Sequence, residues 1–213
     1  MIYNIITPAK RTWNFQSLID ALKPQNVQWH LICDAEDFEK YDSSENWIHR
    51  HVHNINLDIN GPHYTRLYLL VNWFLDNVGV KEDQMYQYLT DDDSIEPNFY
   101  SKIDNAINTI DGETANLVIV SMDRGQRCPD DNEYKYGAFK EIASAEEIEA
   151  HGVAFERYIF KGCLVKDHRF PTDTLFGDSI FSQQLFLQNR EKTIILPDNF
   201  VWFNYLQPGR WDK

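Results

Sequence analysis

The chain has 213 residues, 43% of them hydrophobic, which is enough to bury one sizeable α/β core. Its formal net charge of −13 excludes a nucleic-acid backbone as partner, because such binding rests on clustered Lys and Arg that neutralise phosphates. Every apolar run is broken well short of the roughly 18 residues a membrane helix needs, which predicts no membrane insertion. No basic stretch precedes the first apolar run, Ile2-Tyr3-Asn4-Ile5-Ile6, as a secretory leader would require, so the expectation is a soluble intracellular protein.

No Gly/Ser/Pro-rich linker divides the sequence, which predicts a single domain over 1–213, able to stand alone or to form the first part of a longer protein. The three cysteines, Cys33, Cys128 and Cys163, lack any Cys-x-x-Cys spacing and suit a reducing compartment. Cys33 and Cys163 sit in apolar runs, where burial as small hydrophobes is expected.

In chain order, Ile2 to Thr7 reads as a strand closed by Pro8. Thr12 to Leu22 carries Trp13, Phe15, Leu18, Ile19 and Leu22 at helical spacing, with Thr12 as a cap. Val27 to Cys33 is a second strand with Asp34 at its carboxyl end, and His49 to Ile55 a short third. His49, His51 and His53 share the period of two that metal ligands on a strand would need, but without an acidic partner nearby an exposed edge strand is the expected reading. Gly61-Pro62 introduces an apolar helix over Tyr64 to Val78, and Met85 to Thr90 is a strand that delivers Asp91, Asp92 and Asp93. A helix follows from Pro97 through Phe99, Ile103, Ile107 and Ile110, then a strand from Leu117 to Ser121.

The second half is less regular. Asp123 to Lys140 reads as a long surface loop, Ser144 to His151 as a short helix, Arg157 to Val165 as a late strand, Asp178 to Asn189 as a helix, and Thr193 to Leu196 as a final strand. The strand and helix alternation of the first half predicts a parallel sheet, and in open α/β sheets ligands bind outside the carboxyl ends of the strands. Thr7, Asp34 and Asp91 to Asp93 all occupy such ends.

Three adjacent carboxylates at the end of a buried strand repel one another strongly, so a cation or water must lie between them. A hard divalent ion, Mg²⁺ or Mn²⁺, is the natural guest for oxygen ligands. Alternation along an extended chain assigns it to Asp91 and Asp93, with Asp92 pointing elsewhere. A one-position twist would make Asp92 the ligand instead, and an acidic turn capping the next helix is the bland alternative.

Asp34 can accept hydrogen bonds from a base or ribose, or simply form a turn. Arg66 stands where the helix dipole favours acids, so it asks for a phosphate or a carboxylate partner unless it is merely solvated. Asp178 opens an amphipathic helix as an N-cap or as a general base. Arg210 and Trp211 in Gln207-Pro208-Gly209-Arg210-Trp211 pair a guanidinium with an indole, a combination suited to a diphosphate and a sugar ring, or form a frayed tail.

Taken together these positions resemble a family 2-like nucleotide-sugar glycosyltransferase of the GT-A fold. The resemblance rests on Ile5-Ile6-Thr7-Pro8-Ala9-Lys10-Arg11, Asp34, Gly61 with Arg66, Tyr88-Leu89-Thr90-Asp91-Asp92-Asp93, Phe176-Gly177-Asp178 and Gln-x-x-Arg-Trp at Gln207 to Trp211. It implies an α/β fold with a Rossmann-like, mostly parallel central sheet flanked by helices. It further implies metal-dependent transfer of a sugar from a nucleotide-diphosphate donor, UDP-sugar favoured, to a hydroxyl of a glycan or glycoprotein, with inversion.

In that reading Asp178 is the base, and Asp91 and Asp93 hold the metal. Thr7, Pro8, Arg11, Asp34, Arg66, Asp91, Asp92, Arg210 and Trp211 contact the donor, while Tyr134, Tyr136 and Trp211 offer aromatic faces to sugars. The chain departs from the family pattern at Gly177, where members carry Glu before the Asp, and at Leu67, where they favour Asn; it also lacks the membrane helices of processive members. The rivals are a Mg²⁺-dependent phosphatase or nucleotidyltransferase using the same aspartates, and a non-catalytic binding domain. A nucleotidyltransferase would want a glycine-rich phosphate loop near the start, and Thr7 to Arg11 contains no glycine.

Overall fold

A computed structural model describes residues 1–57, 63–108, 115–124, 126–127, 134–135 and 140–203. Its strands are β1 (Tyr3–Pro8), β2 (Val27–Cys33), β3 (Ile48–Val52), β4 (Met85–Tyr88), β5 (Ser94–Ile95), β6 (Leu117–Asp123), β7 (Gln126–Arg127), β8 (Tyr134–Lys135), β9 (Lys140–Glu141), β10 (Tyr158–Lys161) and β11 (Thr193–Trp202). The helices are α1 (Phe15–Leu22), α2 (His63–Asn77), α3 (Phe99–Asn108), α4 (Ala145–His151) and α5 (Gly177–Asn189). Among these no helix is long and apolar enough to cross a membrane.

The main sheet runs β3-β2-β1-β4-β10-β6-β11-β5, with β9 paired to β6, while β7 and β8 form a separate ribbon. Pairings among β3, β2, β1 and β4 are parallel, as is β6 with β11; β10, β5 and β9 join antiparallel. The result is a mixed α/β fold with a mostly parallel sheet covered by helices on both faces. From β1 the chain builds outward through β2 to β3 and then returns to place β4 on the other side of β1. That reversal opens a crevice beyond the carboxyl ends of β1 and β4, the place where such sheets bind ligands.

Central strands read as unbroken apolar runs because both faces are buried. Period-two alternation sends Ile5, Leu31, Val118 and Val120 to one core, and Ile6, Ile32, Leu117 and Ile119 to the other. Phe15, Leu18, Ile19 and Leu22 on α1 cover the first core, each burial contributing about 2 kcal/mol before entropy is counted. Phe74 of α2, Ile148 of α4 and Phe181 of α5 cover the second. Arg157, 1% exposed, ties α4 to the sheet by a two-pronged bond to Glu147 at 2.9 and 3.0 Å and a bond to the Val120 carbonyl at 3.1 Å.

Several elements depart from expectation. Thr12–Asn14 is a 3-10 turn with no side-chain cap, so Trp13 leaves the apolar face of α1 and is 72% exposed. β10 ends at Lys161 and gives way to a 3-10 turn over Gly162–Val165, which leaves Cys163 exposed rather than buried. β11 does not stop at Leu196: its register against β6 shifts between Leu196 and Phe200, around a proline that cannot donate to the ladder, and then resumes. Ser144 caps α4 by accepting from the Glu147 N–H at 3.1 Å, as its position in the sequence suggests.

The histidines of β3 form a packed group. His49 and His51 stack on His30 of β2 at 5.0 and 5.3 Å, His30 Nδ1 meets His51 Nε2 at 3.1 Å, and Phe74 lies edge-on to both His30 and His51. That bond needs at least one neutral ring, since two imidazoliums would both be donors. Burial, reinforced by the two neighbouring rings, lowers the His30 pKa to about 3. His30 is therefore neutral in the folded chain and protonates near its ordinary 6.5 when unfolded, so its contribution is complete above pH 6.5 and is lost as pH falls toward 3. Urea unfolding is expected to show His30 costing the protein about 2 kcal/mol at about pH 5 relative to neutral pH, and His30→Phe should remove about that much of the pH slope. An unchanged slope in the variant would assign the acid sensitivity to other groups.

Candidate active site

The carboxyl ends of β1 and β4 meet at a cavity of about 550 Å³. Pro8, Ala9, Lys10 and Arg11 enter it from β1, Asp34 from β2, Thr90, Asp91 and Asp92 from the end of β4, and Arg66 and Tyr68 from α2. Arg124 after β6, Glu156 ahead of β10, and Leu175 and Asp178 around the start of α5 complete the lining. Four cationic side chains, Lys10, Arg11, Arg66 and Arg124, thus converge on one concavity of a chain whose net charge is −13.

The aspartate triplet lies in a turn rather than on a strand, because β4 ends at Tyr88 and the Asp93 N–H closes back onto the Thr90 carbonyl at 3.3 Å. Asp91, 2% exposed, is latched to the end of β1: its Oδ2 accepts the N–H groups of Lys10 at 2.5 Å and Arg11 at 2.6 Å, while its Oδ1 takes the Arg11 guanidinium. Asn14 also bonds to the Asp91 carbonyl at 2.9 Å. Asp92 Oδ1 accepts from the Thr90 hydroxyl at 2.9 Å and lies 3.3 Å from the same guanidinium. Asp93 is fully buried, bonded to the Thr90 hydroxyl and to Glu156, whose carboxyl is raised well above its ordinary range by burial and then by Asp93 itself. Part of the repulsion expected in the triplet is thus relieved internally, by Arg11 beside Asp91 and Asp92 and by the Thr90 hydroxyl.

Asp34 bonds to Lys10 Nζ at 3.0 Å and to His53 Nε2 at 2.8 Å. Arg66 makes no ion pair with any described residue, and it faces the cavity from the first turns of α2. At the start of α5, Asp178 accepts the Ser179 N–H at 2.8 Å and sits 3.1 Å from the Tyr68 hydroxyl. Burial holds its carboxyl above the ordinary aspartate range, against the downward pull of these bonds.

No family model matches the chain, and no curated protein does. Solved structures do resemble it. A 4-diphosphocytidyl-2C-methyl-D-erythritol synthase is similar at 9% identity, with 92% of this chain and 89% of that one covered and a TM-score of 0.49. A UTP-bound UGPase from Acinetobacter baumannii is similar at 10% identity, with 98% and 90% covered and a TM-score of 0.48. A mannose-1-phosphate geranyltransferase from Thermus thermophilus is similar at 10% identity, with 95% and 73% covered and a TM-score of 0.40.

Of the residues singled out in the sequence, Pro8, Arg11, Asp34, Arg66, Asp91, Asp92 and Asp178 line the one cavity. Thr7 does not: it is fully buried within the sheet, where its hydroxyl accepts the Trp29 indole N–H at 2.9 Å. Asp91 and Asp93 do not share a face, since the turn cancels the alternation that would have aligned them. Gly61, Arg210 and Trp211 lie outside the described residues, as do Tyr136 and the side chain of Tyr134. Lys10, His53, Tyr68, Arg124 and Glu156 are additions from the structure. Arg124 was within reach of the strand-end rule, because β6 runs on to Asp123 instead of stopping at Ser121.

The carboxylates fit a hard divalent cation in one arrangement better than another. Asp91 offers oxygens already engaged by three N–H donors, and Asp93 is turned away from the cavity. Asp92 faces it from beside Asp91, and one or two carboxylates suffice for an ion that takes its remaining ligands from water and phosphate. Among the described residues, Asp34, Glu36 and Asp37 bring carboxylate oxygens within 4.8 Å of one another, but Lys10 and Lys40 already neutralise that group.

Proposed function

We propose that the protein is a glycosyltransferase that moves a sugar from a nucleotide-diphosphate donor, UDP-sugar favoured, to a hydroxyl of a glycan or glycoprotein acceptor, with inversion. The observation that carries this reading is the arrangement of the cavity. Basic side chains and strand-end carboxylates line one cavity together with Asp178, a carboxylate made more basic by burial. Arg66 offers positive charge to the diphosphate, with Lys10, paired with Asp34 and Asp37, and Arg124, paired with Glu141, beside it, while Asp34 offers acceptors to the nucleoside. Arg210 and Trp211 remain proposed donor contacts on the motif they carry.

Asp178 would take the proton from the acceptor hydroxyl as that oxygen forms its bond to the anomeric carbon. The bond from that carbon to the donor phosphate oxygen breaks, and its electron pair leaves with the nucleoside diphosphate. Asp92, beside Asp91, would hold Mn²⁺ or Mg²⁺ against the diphosphate, where the ion supplies Lewis-acid stabilisation of the departing charge.

Thermal shift with UDP-, GDP-, CMP- and dTDP-sugars, with and without Mn²⁺, tests the reading. One nucleotide sugar should raise the melting temperature, more so with Mn²⁺, and ligand at about 100 times Kd should add about 2.7 kcal/mol of stability. Asp92→Asn is expected to abolish the Mn²⁺-dependent part of the shift. Release of pyrophosphate from a nucleoside triphosphate, in place of nucleoside diphosphate from a nucleotide sugar, would overturn glycosyl transfer in favour of nucleotidyl transfer.

A further inference from the structure

Asp178 is held by a contact that reaches across from α2. Tyr68, 2% exposed, stacks on Phe170 with ring centroids 5.4 Å apart and planes within 7°. Its hydroxyl accepts the Asp178 backbone N–H at 3.2 Å and lies 3.1 Å from both Asp178 Oδ1 and the Leu175 carbonyl. Nothing larger than glycine admits this approach at the preceding position. A Cβ on Gly177 would lie 2.6 Å from Tyr68 Cε2 and 2.5 Å from the Pro171 carbonyl oxygen, closer than such atoms come. The Tyr68 ring therefore occupies the space that a side chain at 177 would take.

We propose that Tyr68 is the positioning residue for the Asp178 carboxylate, its hydroxyl fixed by Phe170 stacking and by the absent side chain of Gly177. The inference rests on the reading of Asp178 as the base. A phenol has one proton to donate, and here it has two acceptors. While Asp178 is ionised, the charge-assisted bond to Oδ1 is the stronger one and orients the carboxylate. Once Asp178 has taken the acceptor's proton, the phenol proton can turn to the Leu175 carbonyl, and no proton leaves Tyr68. Burial keeps the phenol far above its ordinary pKa, so it remains a donor throughout. Among the described residues, the other titratable groups facing Asp178 are Glu156, ahead of β10, and Tyr158, on β10; the Ser179 and Phe155 backbones also bond to it.

Tyr68→Phe keeps the ring and removes only the hydroxyl. With whichever of the UDP-, GDP-, CMP- and dTDP-sugars is turned over fastest as donor, kcat should fall about tenfold, the loss of one hydrogen bond to a charged group, with donor KM within about twofold. The deleted bond favoured the ionised carboxylate, so the acid limb of kcat should move upward by about one pH unit. A carbon-13 titration of the Asp178 carboxyl should show the same upward move without any turnover. If Asp178→Asn is inactive while Tyr68→Phe keeps the wild-type kcat, acid limb and carboxyl titration, the positioning role is overturned. If Asp178→Asn instead retains full activity, the reading of Asp178 as base fails, and with it the role that depends on it.

Discussion

Asp178→Asn is expected to lower kcat by about 10²- to 10⁴-fold, the range supplied by a positioned general base, while donor binding measured by thermal shift stays within experimental scatter. The amide keeps the shape of the carboxylate and can still accept the Ser179 N–H, so the helix start should survive. What it loses is the capacity to take a proton. The wild-type acid limb should lie above the ordinary aspartate value of 3.8, because burial raises this carboxyl and the base acts only when ionised; activity therefore disappears as pH falls through the raised pKa. Asp173, the nearest carboxylate to Asp178 along the chain, is exposed and does not line the cavity. Full transfer activity in Asp178→Asn would require another proton acceptor on the cavity, such as Glu156, whose carboxyl is raised well above its ordinary range by burial and by Asp93.

The frame around this carboxylate was legible wherever burial imposes a pattern. β2 spans Val27–Cys33 as the apolar run predicts, and α2 spans His63–Asn77, one residue from the expected start and end. Both are read correctly because a strand buried on two faces and a helix packed along one each leave a distinct spacing. Pairings between distant segments leave no such trace. The two-residue β5 and β9 exist only through their partners, and nothing in Tyr158–Lys161 announces that β10 runs against its neighbours. The same limit explains the site. Asp91 and Asp178 stand out locally, one in an acidic run and one at a helix start. Glu156 looks like an ordinary residue ahead of a strand until Asp93 is placed beside it. The partner of Asp91 is 80 positions away in sequence, so a triplet that seems to demand an external cation is met in part by Arg11.

Asp91→Ala is expected to cost about 3–5 kcal/mol of stability, the usual cost of removing one member of a buried ion pair. For a chain of this size that corresponds to a loss of about 10 °C or more in melting temperature. Two effects compete in this variant. Deleting one carboxylate relieves its repulsion with Asp92 and Asp93, which favours the fold. It also leaves the Lys10 and Arg11 N–H groups and the guanidinium without the acceptor that binds all three, and Asp92, already 3.3 Å from Arg11, replaces only part of that. Unmet donors in a partly buried site outweigh relieved repulsion because three donors lose their shared acceptor, while the guanidinium still stands beside Asp92 to offset the charge that remains. Arg11→Met should cost less, since Asp91 keeps both backbone donors. The double variant should fall short of the summed losses, with a coupling of about 1–3 kcal/mol in a thermal or urea cycle. A melting temperature for Asp91→Ala at or above that of the wild type would mean that repulsion within the triplet dominates, and that the latch between the ends of β1 and β4 is not what holds the cavity in shape.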